Sequence, residues 1–186
     1  MKRLYYLSVV AIVVALTFSA CGSSKTTSQG DVEVEMPCHG TDFMTNKDYF
    51  RASAVGLASD MTMAKKKAMS EVRGSLAAAI GVTVKQAASD YAKAYQVAEE
   101  VADNRRFEDM TVTSVDQSLT GLRSICEKMM KTKDGKYRFY VCVELSAENV
   151  SNSIADGIKK DDKLRMDFDY EKFKKTFDEE MSKQGK

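Results

Sequence analysis

The sequence predicts a single α+β domain, amphipathic helices packed on a small antiparallel sheet, preceded by an N-terminal signal and a tether. Three observations predict it. From Asp60 to Ile80, apolar and small residues recur at three- and four-residue steps, the period of a helix with one buried stripe. From Gly121 to Leu145, two strand-like runs flank Lys133-Asp134-Gly135, a strong hairpin turn signal. Further stripes at helical spacing, the last of them backed by a heavily charged face, lie between and after them. At 186 residues, 44% hydrophobic and 30% charged, the chain has the size and balance of one globular domain with appendages.

The N-terminus reads apart from the rest. Lys2 and Arg3 precede an apolar run, Leu4 to Leu16, that ends in small residues before Cys21, the layout of a secretory signal over residues 1–20. The run is too short, and its sequel too polar, for a spanning helix of about 20 apolar residues. Phe18-Ser19-Ala20-Cys21 resembles the lipobox of bacterial lipoproteins, in which the cysteine is acylated and the preceding peptide removed. Phe18 stands where leucine is usual, while Ser19 and Ala20 keep the small residues that cleavage needs. The resemblance makes Cys21 the lipidation site and its acyl chains the membrane contact. It also implies the outer membrane, because Gly22 rather than aspartate follows the cysteine. The competing reading is an ordinary cleaved signal with an incidental cysteine.

Gly22 to Gly30 contains no apolar residue, so residues 21–30 read as lipidated cysteine plus flexible tether and 31–186 as the domain. Asp31 to Glu35 alternates strictly, predicting a short, charged edge strand closed by Pro37. Tyr49 to Leu57 is the first core strand, with Gly56 allowing a bulge or close backbone approach. Ser59 or Asp60 caps the helix that follows, whose stripe is Met61, Ala64, Ala68, Val72, Leu76 and Ala79. Lys65-Lys66-Lys67 falls in the first two turns, where the dipole disfavours cations, and reads as a solvated face rather than a phosphate site. Gly81 is expected to break the helix.

A second helical pattern begins near Val84, with Ala87, Tyr91, Ala94, Ala98 and Val101 as a seam that packs on the first helix or on a partner subunit, the contact within the molecule being preferred. Phe107, Thr111, Val115 and Leu119 predict a third helix. On the returning strand of the hairpin, Tyr137, Phe139, Val141, Val143 and Leu145 share the face that covers the helix; Arg138, Tyr140, Cys142 and Glu144 share the other. Ser146 caps a short helix carrying Val150, Ile154 and Ile158. Leu164 to Tyr170 alternates as an extended segment, and a last helix with Tyr170, Phe173, Phe177 and Met181 docks on the domain.

Without Cys21, three cysteines remain, so one disulfide and one free thiol are expected in an oxidising compartment. Cys38–Cys126, Cys38–Cys142 and Cys126–Cys142 are all open. A three-residue turn, Lys133 to Gly135, puts Cys126 opposite Cys142; a two-residue turn does not. Cys38–Cys126 is preferred, leaving Cys142 buried between Val141 and Val143.

No catalytic set emerges: nucleophile, activating base and charge stabiliser cannot be assembled from these motifs. Cys38-His39 pairs a thiol with the one histidine, but sequence neighbours seldom converge on a metal or a reacting atom. The sequence thus implies no metal, no cofactor and no enzyme. With 28 Lys+Arg against 27 Asp+Glu and basic residues scattered along the chain, it implies no nucleic-acid partner either. The eleven methionines, among them Met61, Met129 and Met130, read as fillers of apolar stripes.

Phe50-Arg51-Ala52 with Ala54-Val55-Gly56, then Ala64, Ala68, Leu76-Ala77 and Ile80, and later Gly135-Lys136-Tyr137 with Tyr140-Val141-Cys142-Val143, resemble the Lpp-twenty lipoprotein family over roughly Cys38 to Val150. The resemblance implies a helix against an antiparallel sheet and an envelope lipoprotein without catalytic residues. The long helical stretch from Val84 departs from a minimal version of that fold. The leading expectation is a non-enzymatic, outer-membrane-anchored interaction or structural module that holds an envelope protein or a second copy. A module binding a small envelope ligand between sheet and helices comes next, and a hydrolase built on Cys38 or His39 last.

Overall fold

Tyr49–Ala58 (β1) and Met61–Tyr95 (α1) are joined by Ser59 and Asp60 alone, so the helix folds straight back over the strand that precedes it. The structure, a computed structural model, describes residues 34–95, 105–162 and 168–184. The signal, Cys21, the tether, Ala98, Val101, Leu164 and Met166 lie outside them. Met36–Lys186 forms one compact unit. After α1 come α2 (Arg105–Ser118), β2 (Arg123–Lys131), β3 (Tyr137–Ser146), α3 (Ala147–Lys160) and α4 (Tyr170–Lys183), with a 3-10 turn at Thr41–Phe43 ahead of β1. The strands form an antiparallel sheet in the order β1-β3-β2, and the helices pack on it: an α+β fold.

The α1–β1 contact is backbone on backbone. A Cβ at Gly56 would stand 2.1 Å from the Ala64 carbonyl oxygen and 2.7 Å from the Ala68 nitrogen. Glycine is therefore required on the strand, and the helix residues that meet it, Ala64 and Ala68, are fully buried. Asp60 caps the helix, its Oδ1 accepting from the Met63 N–H at 3.0 Å.

Gly81 does not end α1. The apolar ridge continues past it through Ile80, Val84 and Ala88, all buried. Burying Ile80 and Val84 contributes about 1.5–3 kcal/mol each, against about 1 kcal/mol for a glycine in a helix. The two helices read from the sequence are thus one in its described part. The ridge also differs from the expected stripe: Ala64, Ala68, Val72, Leu76, Ile80 and Val84 are buried, whereas Met61 and Ala79 are exposed. A four-residue step overshoots a full turn by about 40°. The buried line therefore winds round the helix, facing the sheet at the start and α4 near the end, where Tyr91 meets Phe173 edge-on at 6.2 Å. Ala94, expected on the seam, is exposed.

α2 buries Phe107, Thr111 and Val115 as expected. Phe168 stacks between Tyr91 at 4.7 Å and Phe107 at 5.2 Å, and the Asp169 N–H donates to the Tyr91 hydroxyl. α3 starts at the Ser146 cap and buries Val150, Ile154 and Ile158. α4 docks at home through Phe173, Phe177 and Met181, capped by Asp169. The edge strand expected at Asp31 to Glu35 is not formed in its described part: Val34 and Glu35 carry no regular structure, and Val34 is exposed.

The hairpin closes through three residues, Lys133 to Gly135. Thr132 N–H donates to the Lys136 carbonyl at 2.8 Å, and Gly135 takes a positive φ of 81°. That loop length sets Cys126 opposite Cys142, and a bulge between Ser124 and Cys126 shifts the register beyond it.

Gly56→Ala should lower stability by about 1–3 kcal/mol through overpacking against α1. Gly81→Ala, where an added Cβ meets nothing within 4 Å, should raise it by about 0.5–1 kcal/mol. Urea unfolding of both variants checks the pair; a stabilised Gly56→Ala would contradict the close approach.

Candidate functional site

The sheet has two different faces. Phe139, Val141, Val143 and Leu145 lie under the helices with Phe50 and Ala54. On the opposite face Tyr140 and Cys142 are also buried, in a second cluster with Cys38, packed by Phe43, Ile125 and Cys126. What covers them is the segment from Met36 to Asp48, lying as a strap across the outer face. Two backbone hydrogen bonds hold its end, Asn46 N–H to the Tyr49 carbonyl at 3.0 Å and Ala147 N–H to the Asp48 carbonyl at 2.9 Å, and side chains tie the rest. Ser53 Oγ donates to the Cys38 carbonyl at 2.7 Å, and Thr45 Oγ1 accepts from the Arg51 N–H and donates to the Arg51 carbonyl. Cys38 holds a left-handed φ of 59°, uncommon for a residue with a Cβ.

The disulfide joins Cys38 to Cys126, with Cα atoms 5.5 Å apart and a sequence separation of 88. It staples the strap to β2 just past the bulge. Among the described residues Cys142 is the free thiol, buried beside it, and burial pushes its pKa up. Cys38 is thereby committed to a bond and offers no thiolate. The His39 ring sits at 3.0 Å from the Pro37 carbonyl, and no group of three metal-ligating side chains occurs among the described residues.

One charged row crosses all three strands on this face. Arg51 on β1, Glu144 on β3 and Arg123 on β2 are register partners. Arg51 Nε donates to Glu144 Oε2 at 3.0 Å, and Arg123 Nε donates to Oε1 at 3.1 Å, its terminal nitrogen closing on the same oxygen. Burial pushes the Glu144 carboxyl up, but the hydrogen bonds from Arg123 and Arg51 outweigh it and leave its pKa below the ordinary 4.5. Arg51 also donates to the Asp42 and Met44 carbonyls, so the row anchors the strap.

The two predicted cysteines are therefore brought together, and neither His39 nor an acid joins them. The charged row went unread in the sequence because its members are 21 and 93 residues apart. A cue was present: Phe139-Tyr140-Val141-Cys142-Val143 is an unbroken apolar run, the signature of a strand covered on both faces. A groove of about 540 Å³ between the start of β1, α3 and α4 is lined mainly by charged and polar side chains, Lys47, Glu148, Lys174 and Asp178 among them.

Basic residues scattered in sequence are gathered in space. The C-terminal end of β1 lies beside the hairpin tip, since Leu57 pairs with Arg138 and Arg138 with Met130. This brings Lys65, Lys66 and Lys67 to the same end as Lys128, Lys131, Lys133, Lys136 and Arg138, all exposed. Residues 55–67 and 127–138 together carry those eight cations and three acids, Asp60, Glu127 and Asp134. Glu127 pairs with Lys65 at 3.0 Å and Asp134 with Lys136 at 3.0 Å. Hydrogen bonding from the Thr132 hydroxyl, then from Lys136, lowers the Asp134 pKa to about 2.

Compared with protein-family models, curated proteins and solved structures, the chain matches none. No helix among the described residues is long and apolar enough to cross a membrane.

Glu144→Gln should cost about 2 kcal/mol at pH 7, the worth of hydrogen bonds to a buried charge. Because the folded pKa is depressed, the stabilisation is complete above the unfolded value and is lost as pH falls through the folded one. The difference between wild type and Glu144→Gln in chemical unfolding should therefore shrink below about pH 4.3. A gap independent of pH would contradict the assignment. Reduction should cost about 2–5 kcal/mol by freeing a long loop. Peptide masses without reductant should show Cys38 linked to Cys126 and Cys142 unlinked, and a Cys142 linkage would overturn the pairing.

Proposed function

We propose that this chain is a non-enzymatic cell-envelope lipoprotein, anchored in the outer membrane through lipidated Cys21, whose domain acts as an interaction or structural module. The observation that carries the interaction reading is the sheet edge. Among the described residues β2 pairs with β3 alone, leaving its other edge of nine residues for an added strand from an envelope protein or a second copy. Glu127, Lys128 and Lys131 along it resist indiscriminate pairing.

Export is supported by the layout of residues 1–21 and by the disulfide, which belongs to an oxidising compartment. A strand leading through Gly56 into an alanine-spaced helix, and a hairpin ending in Gly135-Lys136-Tyr137, support membership of the Lpp-twenty type.

Cys21→Ser should move the protein from the membrane pellet to the soluble fraction after a high-salt wash. A photo-reactive side chain replacing Lys128 should cross-link a discrete protein, or a second copy, in the native envelope. A variant that stays in the washed pellet would rule out the anchor, and an unlinked Lys128 position would rule out the β2 edge.

A further inference from the structure

Six of the large apolar side chains that the fold leaves exposed stand at the cationic end of the sheet: Val55, Leu57, Met61, Met63, Met129 and Met130, between 38% and 52% exposed. The methionines among them do not fill the core as their sequence spacing implied. Val55, Leu57 and Met130 share the outer face with Lys128 and Arg138, since each pairs across the ladder with Tyr140 or Arg138. Met129 faces the other way, opposite Phe139, whose ring lies 5.3 Å from Lys65 Nζ. Flexible apolar side chains interleaved with exposed cations match a surface lying in the headgroup region of a bilayer: methylenes enter the acyl boundary while the cations meet lipid phosphates. Five more cations than acids in two short segments, on a chain whose net charge is +1, concentrate the positive field at this end.

We infer that the hairpin end of the sheet, with the first turn of α1, is a second membrane contact that binds an anionic phospholipid surface. The inference builds on the anchored reading. One acylated residue sets the distance to the bilayer, and the patch sets which end of the domain faces it.

The test uses the chain from residue 21 onward carrying Cys21→Ser, so that loss of the anchor and loss of the patch are read separately. It should co-sediment with vesicles of equal parts phosphatidylglycerol and phosphatidylcholine at low salt, and not with phosphatidylcholine alone. Replacing Lys128, Lys131 and Lys133 by Glu should weaken binding at least about a hundredfold, each lysine near an anionic surface being worth roughly fivefold. Met129→Ser with Met130→Ser should weaken what survives at moderate salt, and circular dichroism should show both variants folded. No sedimentation with the anionic vesicles, or binding indifferent to the lysine reversal, would overturn the inference. A DNA duplex bound as tightly, with no effect of the methionine changes, would assign the patch to nucleic acid and overturn it too.

Discussion

β1 and α1 touch through backbone, with Gly56 against Ala64 and Ala68, and the rest of the domain is arranged around that contact. A strand and helix joined by two residues can pack only if neither carries a bulky side chain where they meet. Once they do, Phe50 and Ala54 of β1 and Val72 and Leu76 of α1 join Phe139, Val141 and Val143 of the neighbouring β3 in one core. The winding ridge then carries the far half of α1 off the sheet. There it supplies Tyr91 to a ring cluster with Phe107, Phe168 and Phe173. One helix thus serves two layers, the sheet on one stretch and α4 on the other.

The outer face is built on a different principle. Its apolar cluster is small, so covalent and charged ties hold the strap: the Cys38–Cys126 bond, and two arginines on one buried carboxylate. The carboxylate stays ionised because two guanidiniums compensate its burial. These ties leave the strap side of the sheet closed and the hairpin side open. The division matches the proposed roles, with structural cover at one end and contacts with partner and lipid at the other.

Much of this was legible in the sequence. Helical periodicity placed α2, α3 and α4 with their buried residues, and Asp134-Gly135 placed the hairpin, because local spacing and turn chemistry are short-range properties. Gly56 was readable as a close approach because a strand glycine next to a capped helix has few other uses. Gly81 misled because a glycine's local cost of about 1 kcal/mol says nothing of the burial available to Ile80 and Val84 beyond it. Met61 and Ala79 misled because the three-and-four pattern fits a straight stripe, while the buried ridge winds.

By itself, then, the sequence determined the fold class, the hairpin, the cap at Ser146 and a helix start at Ser59 or Asp60, all written in residues close together along the chain. Only the tertiary structure decided the rest. It selected Cys126 for Cys38 although Cys142 stands directly opposite Cys126, because the strap crosses the outer face where the bulge presents that thiol. It joined Arg51, Glu144 and Arg123 into a row, and it gathered two separate lysine-bearing stretches and four exposed methionines at one end of the sheet. Strand register creates those neighbourhoods, and register follows from loop length and packing between distant segments, which no local pattern records.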